Sequence, residues 1–192
     1  MAIEQPSYQV LKSEDDFELR QYNSMIVAQS QVRGAMDDAS GDGFRAVADF
    51  IFGNNTAASG GSEEISMTAP VLIAPSDNGQ QLNSAAAMND ERGKWVVGFV
   101  MPSQFTLDTL PSPNSDKVVI EPVPERNVAV VTFSGFTGEE KVAAKTQQLL
   151  SWMRLQGLTP QSAATLARYN PPWTLPFLRR NEVMIEYSAS NP

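Results

Sequence analysis

The sequence of 192 residues contains no cysteine and no histidine. Without cysteine there can be no disulfides, no thiolate nucleophile and no cysteine-ligated zinc, and the redox compartment stays undecided. Without histidine the chain lacks the side chain that most often serves as general base and metal ligand. Catalytic arrangements of the Ser-His-Asp and Cys-His types are therefore excluded.

Basic residues are also few. The chain has 14 Lys and Arg against 22 Asp and Glu, which gives a formal net charge of −8. This balance favours solubility and argues against non-specific binding to nucleic acid. No apolar run approaches the roughly 18 residues of a membrane span, and no signal peptide is visible. We expect a soluble protein in the cytoplasm, or in the periplasm if an export signal has been removed.

The acidic residues do not form a known metal or catalytic motif. No Asp-x-Asp-x-Asp-Gly loop is present, and Asp15-Asp16 and Asp37-Asp38 are typical of solvated turns. Glu182 and Glu186 fall on one face of a predicted strand, but four residues of strand separate them by about 13 Å. That distance is too long for a glycosidase pair. We therefore expect no catalytic residue and no metal site.

Hydrophobic periodicity predicts one order of elements twice: two strands, a helix and two further strands. We expect a single α+β domain over residues 1–192, in which β-β-α-β-β halves at about 7–101 and 117–187 form a distorted antiparallel β-barrel flanked by two α-helices. The connection at 75–93 is expected to be mobile, and Pro70 suits a sheet edge or a bulge. The predicted strands are 8–12, 17–22, 25–32, 65–74, 94–101, 117–123, 127–133, 163–169 and 181–187, and the predicted helices are 43–52 and 137–156.

The stretch 168–187 near the C-terminus predicts a rigid loop followed by a strand. Three prolines within seven residues fix the backbone between Asn170 and Pro176. We expect this loop to place Trp173 and Phe177 as buried side chains that seal the end of the barrel. From Asn181 onward the alternation has period two, as in a strand.

Four segments, in order along the chain, resemble the SOUL haem-binding protein family. They are Phe-Glu-Leu-Arg-Gln-Tyr at 17–22, Ile-Ser-Met-Thr-Ala-Pro-Val at 65–71, Phe-Val-Met-Pro at 99–102 with Pro-Ser-Pro at 111–113, and Tyr-Asn-Pro-Pro at 169–172 followed by Arg-Arg-Asn-Glu-Val at 179–183. The resemblance covers roughly residues 7 to 187. It implies the barrel architecture shared with bacterial effector-binding domains of the gyrase-inhibitor type.

The resemblance implies a non-catalytic protein that holds haem or another porphyrin, a small-molecule tetrapyrrole, on an apolar surface. Because histidine is absent, a thioether is the candidate iron ligand, although methionines more often fill cores. The first helix resembles the one that the family is thought to lay against haem, and cationic side chains would face the propionates. The implied cofactor-binding residues are Arg45, Phe52, Met67, Arg179, Arg180 and Glu182, with Met101, Met153 and Met184 as further thioethers.

Two of these residues leave alternatives open. Glu182 is interpreted either as an ion-pair partner of Arg179 or Arg180, or as an acidic group in a ligand cavity. The second interpretation corresponds to a different function, a small-molecule effector-binding or hydrolase-like domain that uses the barrel groove. Arg45 is either a haem contact or an ordinary surface partner of Asp49. A family member that binds no haem is a third possibility, and the oligomeric state stays open.

Overall fold

A computed structural model describes residues 3–76 and 93–189. Within these ranges the strands are β1 Tyr8–Glu14, β2 Phe17–Tyr22, β3 Met25–Arg33, β4 Asn55–Thr56, β5 Val71–Pro75, β6 Lys94–Val100, β7 Ser112–Pro113, β8 Val119–Val123, β9 Arg126–Phe133, β10 Leu158–Pro160, β11 Thr165–Arg168 and β12 Asn181–Ala189. The helices are α1 Met36–Ile51 and α2 Glu139–Leu155, and a 3-10 turn spans Pro176–Leu178. No helix in the described ranges is long and apolar enough to cross a membrane.

The main sheet has ten strands, in the order β1-β2-β9-β12-β11-β5-β6-β3-β8, with β10 added beside β12. All of its strand pairs are antiparallel, and the sheet curls into a half-barrel with β1 and β8 as its edges. The α+β prediction is confirmed. The order of eight of these strands is symmetric between the two halves of the chain. If β2 is exchanged with β8, β3 with β9, β5 with β11 and β6 with β12, the same order is obtained in reverse. Superposition of the two halves stays a prediction, as does the single-domain assignment.

Both helices pack on one face of the sheet. Side chains of α1, α2, β6, β9, β11 and β12 share one buried cluster, in which Trp95, Val131, Leu149 and Val183 are almost fully enclosed. A second cluster under α1 contains Val47, Phe50 and Phe99, among others. Apolar burial on this face is the main stabilising contribution of the fold.

Helix α1 begins seven residues earlier than the predicted start at Gly43. Its first turns are rich in Gly, Ser and Asp, which are poor helix formers. Tertiary packing overrides this preference, because Met36, Ala39, Gly43 and Val47 form a buried stripe at helical spacing. At Gly43 the helix approaches β6 so closely that an added Cβ would lie 2.5 Å from the Cβ of Val97.

The opposite face of the sheet, here called the inner face, carries a different set of side chains. Along β12, Val183 and Ile185 join the helix-covered core, whereas Met184 packs with Tyr22 and Tyr169 on the inner face. This alternation confirms the predicted period of two in the final strand.

Two sequence-based expectations about loops are wrong. Trp173 and Phe177 do not seal the barrel: they are 83% and 71% exposed. Arg179 donates to the Thr174 and Pro172 carbonyl oxygens of this loop, but its aromatic side chains point to solvent. Pro70 marks neither an edge nor a bulge, because β5 starts directly after it and lies between β11 and β6. The expectation of a mobile connection at 75–93 falls mostly outside the described residues.

Candidate functional site

A buried ion pair lies on the inner face. Glu182 projects from β12 and is completely inaccessible to solvent, and Arg20 projects from β2 and is 2% exposed. The two strands are separated by β9, so the guanidinium group reaches across one strand. Arg20 donates from its Nη1 and Nη2 atoms to the two carboxylate oxygens at 2.9 and 3.0 Å. This parallel, two-bond geometry is the strongest form of arginine–carboxylate contact.

Further groups complete the coordination of the Glu182 carboxylate. The Tyr169 hydroxyl donates to Oε2 at 2.7 Å, and Arg180 donates to Oε1 from Nε at 3.0 Å and from Nη2 at 2.6 Å. Arg180 also lies over the Tyr169 ring, with its guanidinium carbon 4.0 Å from the ring centre. The carboxylate therefore accepts five hydrogen bonds, which leaves little acceptor capacity for another group.

Arg20 makes further contacts beyond Glu182. Its Nη1 donates to the Tyr22 hydroxyl at 3.0 Å, its Nε donates to Glu18 at 2.6 Å, and its guanidinium carbon lies 4.3 Å from the centre of the Tyr8 ring. Two arginines face two glutamates, so the cluster carries no net charge. We call this set, Tyr8, Glu18, Arg20, Tyr22, Tyr169, Arg180 and Glu182, the arginine–glutamate network.

The protonation states within the network follow from these contacts. Burial alone would raise the pKa of Glu182, but the hydrogen bonds and positive charge of Arg20, with Tyr169 and Arg180, hold that pKa below its usual value. Burial, followed by the nearby Glu182 charge, raises the pKa of the Tyr169 phenol well above its usual value. Glu182 is thus a carboxylate at neutral pH and a weak proton acceptor.

A cavity of about 650 Å³ opens where the N-terminal segment, the start of β3 and the segment after β6 meet. This volume falls within the range of about 300–1,000 Å³ that is common for small-molecule sites. Among the described residues that line it, Glu4 is the charged member, and none is Lys or Arg. The walls are largely apolar and include Met25, Met101, Phe105, Leu107 and Val123. Met101 is 5% exposed, and Leu107, at 55%, forms part of the rim.

A second, smaller cleft of about 490 Å³ lies between α2 and the loop before β12. It is lined by four cationic residues and by Phe133, Phe177 and Leu178, with Asp16 as the acidic member. The cationic residues are Lys141, Lys145, Arg179 and Arg180.

The residues implied by the family resemblance do not form one site. Arg180 and Glu182 are in direct contact, as one interpretation of Glu182 predicted, but its principal partner Arg20 was not anticipated. The adjacent Arg179 turns away from this pair and donates to the carbonyl oxygens of Pro172 and Thr174.

The other implied residues lie elsewhere. Arg45 is exposed on α1 and pairs with Asp42, so its predicted pairing with Asp49 is wrong. Phe52 at the end of α1 is 58% exposed, and Met67 is 38% exposed. No contact within the described residues joins these three side chains to Glu182.

Sequence reasoning missed Arg20, Tyr22 and the cavity. Arg20 and Tyr22 alternate along β2 with Phe17 and Leu19, which pack on the helix-covered face. This alternation along β2 could have pointed to Arg20. It places a charged side chain on the inner face of the sheet, where a buried charge needs an oppositely charged partner. The cavity had no such signal, because it forms from segments distant in sequence.

The fold is an α+β half-barrel, and the arginine–glutamate network lies on its inner face. The sequence matches the SOUL heme-binding protein family over residues 3–186. Because this match covers nearly the whole chain, the protein belongs to that family. A comparison with curated proteins gives no significant match.

Solved structures support the same fold. The C-terminal domain of EcmrR has a TM-score of 0.67 and 11% identity, with 95% of this chain and 99% of that chain covered. A hydrolase from Listeria innocua has a TM-score of 0.59 and 11% identity, with 93% and 94% covered. An uncharacterised conserved protein from Listeria innocua has a TM-score of 0.60 and 11% identity, with 90% and 92% covered. At such identities the likeness concerns the fold alone.

Proposed function

We propose that this protein binds haem or another tetrapyrrole without a histidine axial ligand and without catalysing a reaction. Membership of the SOUL heme-binding protein family supports the ligand class. The observation that carries the proposal is the apolar cavity of about 650 Å³ beside Met25 and Met101. Its volume and walls fit a planar apolar macrocycle.

The cavity suits the macrocycle better than the outer surface of α1 does. Phe105 and Leu107 provide apolar walls, and burial of a macrocycle face contributes several kcal/mol at about 25 cal/mol per Å². On α1, by contrast, the exposed side chains around Arg45 include Asp38, Asp42 and Asp49. Carboxylates at those positions would repel the propionates of haem. The cavity has one carboxylate in its described lining, Glu4, which accepts a hydrogen bond from the Ser103 amide at 2.7 Å, and no Lys or Arg. The propionates of haem would therefore stay hydrated at the mouth, away from Glu4.

Two thioethers in the cavity wall, those of Met25 and Met101, are of the type that ligates haem iron. Met101 also packs in the cluster under α1, whereas Met153 and Met184 lie inside buried clusters and are not among the residues that line the cavity. Bound haem would supply redox-active iron. The protein's own part in this proposal is to bind the macrocycle and to keep water from one of its faces.

The absence of catalysis is supported by the state of Glu182. The sequence has no Cys or His, and this carboxylate accepts hydrogen bonds from Arg20, Tyr169 and Arg180. A cationic effector or an attacking water would have to displace an arginine from it. The effector-binding and hydrolase-like alternative therefore lacks a free acidic group at this position.

The experiment compares three surfaces by haemin titration. Leu107→Asp introduces a negative charge at the rim of the cavity, and Phe52→Asp introduces one at the end of α1. Lys141→Glu reverses a charge in the smaller cleft between α2 and the loop before β12. We expect the Kd for haemin to rise about tenfold or more, about 1.4 kcal/mol, for Leu107→Asp alone. Leu155→Asp is the matched control, because Leu155 is 83% exposed and lies outside the cavity lining.

Other outcomes would relocate or remove the site. Loss of binding in Phe52→Asp would place haem on α1, and loss in Lys141→Glu would place it in the cleft. Saturable binding of a cationic dye without binding of haemin would favour the effector-binding alternative.

A further inference from the structure

An exposed apolar surface surrounds the loop before β12. Five large side chains on this loop and on the neighbouring turn after β9 are more than half exposed. They are Phe136 (67%), Trp173 (83%), Leu175 (55%), Phe177 (71%) and Leu178 (62%). We call this set the aromatic loop surface. Such a concentration of exposed apolar groups is uncommon on a soluble protein and indicates an interaction site.

The backbone beneath these side chains is held in place. Arg179 donates from Nε to the Thr174 carbonyl oxygen at 2.8 Å and from Nη2 to that of Pro172 at 2.5 Å. The Gly135 amide donates to the Pro176 carbonyl oxygen at 2.9 Å, which ties the loop to the turn after β9. The Arg179 guanidinium also lies 5.3 Å from the centre of the Phe136 ring. The aromatic groups are therefore presented on an ordered frame, and little ordering entropy is lost when they bind.

Cationic side chains adjoin the aromatic loop surface. Lys141, Lys145 and Arg179 line the cleft whose apolar wall is formed by Phe177 and Leu178. Lys141 and Lys145 place their ammonium groups 5.8 and 5.9 Å from the centre of the Phe133 ring. Asp16 is the acidic residue that lines the cleft, and the first turn of α2 adds Glu139 and Glu140. Among the residues that line the cleft, the four cations, with Arg180 included, outnumber the single carboxylate, in a chain of net charge −8.

We propose that the aromatic loop surface docks the protein on an anionic lipid bilayer. Exposed Trp and Phe side chains next to Lys and Arg match the interface of a bilayer, where aromatic rings sit at the headgroup level. Apolar insertion and attraction of cations to anionic headgroups together give reversible surface binding. The acidic outer face of α1 would be repelled, which orients the molecule with this surface towards the lipid. This inference is independent of the cavity and of tetrapyrrole binding.

The test is sedimentation with vesicles of phosphatidylcholine alone and of phosphatidylcholine with one quarter phosphatidylserine. We expect binding to the anionic vesicles to be about tenfold stronger than to the neutral ones, and to weaken when salt is raised. Phe177→Ser should weaken anionic binding about tenfold, whereas Leu155→Ser should change it less than about twofold. Both positions are exposed, at 71% and 83%, so neither change should unfold the chain.

Trp173 provides a direct readout of insertion. Of the three tryptophans, Trp95 and Trp152 are 1% and 7% exposed, so brominated lipid should quench Trp173 selectively. Trp173→Phe should keep vesicle binding and lose the quenching. The proposal is overturned if wild type does not bind anionic vesicles, or if Phe177→Ser and Leu155→Ser behave alike. It is also overturned if wild type is a dimer that Phe177→Ser dissociates, because the surface would then belong to a second copy.

Discussion

Arg20 on β2 and Glu182 on β12 form a two-bond ion pair across the intervening strand β9, at 2.9 and 3.0 Å, with both side chains removed from solvent. The two residues are 162 positions apart in the sequence. Their pairing connects the first strands of the chain to its last strand. Because a buried charge is costly without its partner, each residue depends on the other.

The first prediction concerns this pair. Glu182→Gln should lower the free energy of unfolding by about 3–5 kcal/mol, because it removes the fully buried counter-charge of Arg20 and leaves only the partly exposed Glu18 beside it. Urea denaturation measures the change. The matched control is Glu186→Gln on the same strand, whose partner Arg126 is partly exposed. That change should cost less than about 1 kcal/mol. If the two variants lost the same free energy of unfolding, the buried network would stabilise the fold no more than a partly exposed ion pair does.

The second prediction is a pH dependence of stability. The folded-state pKa of Glu182 lies below its ordinary value of 4.5, so the unfolded chain takes up a proton at this residue first as pH falls. Glu182 therefore contributes stability above about pH 4.5, and that contribution is lost as pH falls through the folded-state pKa.

Urea midpoints at pH 7 and at about pH 3.5 measure this effect. Between these values wild type should lose more stability than Glu182→Gln, which has no carboxylate at that position. Parallel losses in the two proteins would mean that the acid sensitivity resides in other carboxylates.

The third prediction separates the exposed and buried tryptophans. Trp173→Ala should change the free energy of unfolding by less than about 0.5 kcal/mol, as is usual for exposed positions. Trp95→Ala should cost about 3–5 kcal/mol, because Trp95 is 1% exposed and its indole nitrogen donates to the Gly34 carbonyl oxygen at 3.0 Å. If Trp173→Ala instead lowered the free energy of unfolding by about 3–5 kcal/mol, Trp173 would be buried at the end of the barrel, as the sequence predicted.

The fourth prediction uses two glycines of α1. At Gly43 an added Cβ would lie 2.5 Å from the Cβ of Val97, so Gly43→Ala should destabilise the protein by about 1–3 kcal/mol through overpacking. At Gly41 the nearest atom is the mobile end of Arg45 at 3.5 Å. Gly41→Ala should therefore stabilise the helix by about 0.5–1 kcal/mol. Thermal unfolding of the two variants checks the opposite signs.

Local patterns predicted much of the fold. The alternation of β12 and the apolar periodicity of α2 depend on short-range spacing, and both were identified from the sequence. The start of α1 was missed because Ser40, Gly41 and Gly43 have low helix propensity, and only contact with the sheet stabilises that first half. Helix propensity and short-range spacing do not include this contact between α1 and the sheet.

The site was less predictable for the same reason. The sequence indicated that Glu182 has an arginine partner, but nearby Arg179 and Arg180 were the only candidates that local spacing offered. Arg20 becomes a neighbour through the pairing of β2 with β9 and of β9 with β12. Trp173 was misplaced because rigidity of a loop does not determine which side its aromatic groups face.

We propose that the cavity holds a tetrapyrrole mainly through its macrocycle and without histidine ligation. The most direct test of this proposal is a parallel titration of haemin and metal-free protoporphyrin, followed by quenching of tryptophan fluorescence. Both ligands should saturate, and their Kd values should agree within about tenfold, a difference below about 1.4 kcal/mol. A preference for haemin of about a hundredfold or more, or no saturation by either ligand, would contradict this proposal.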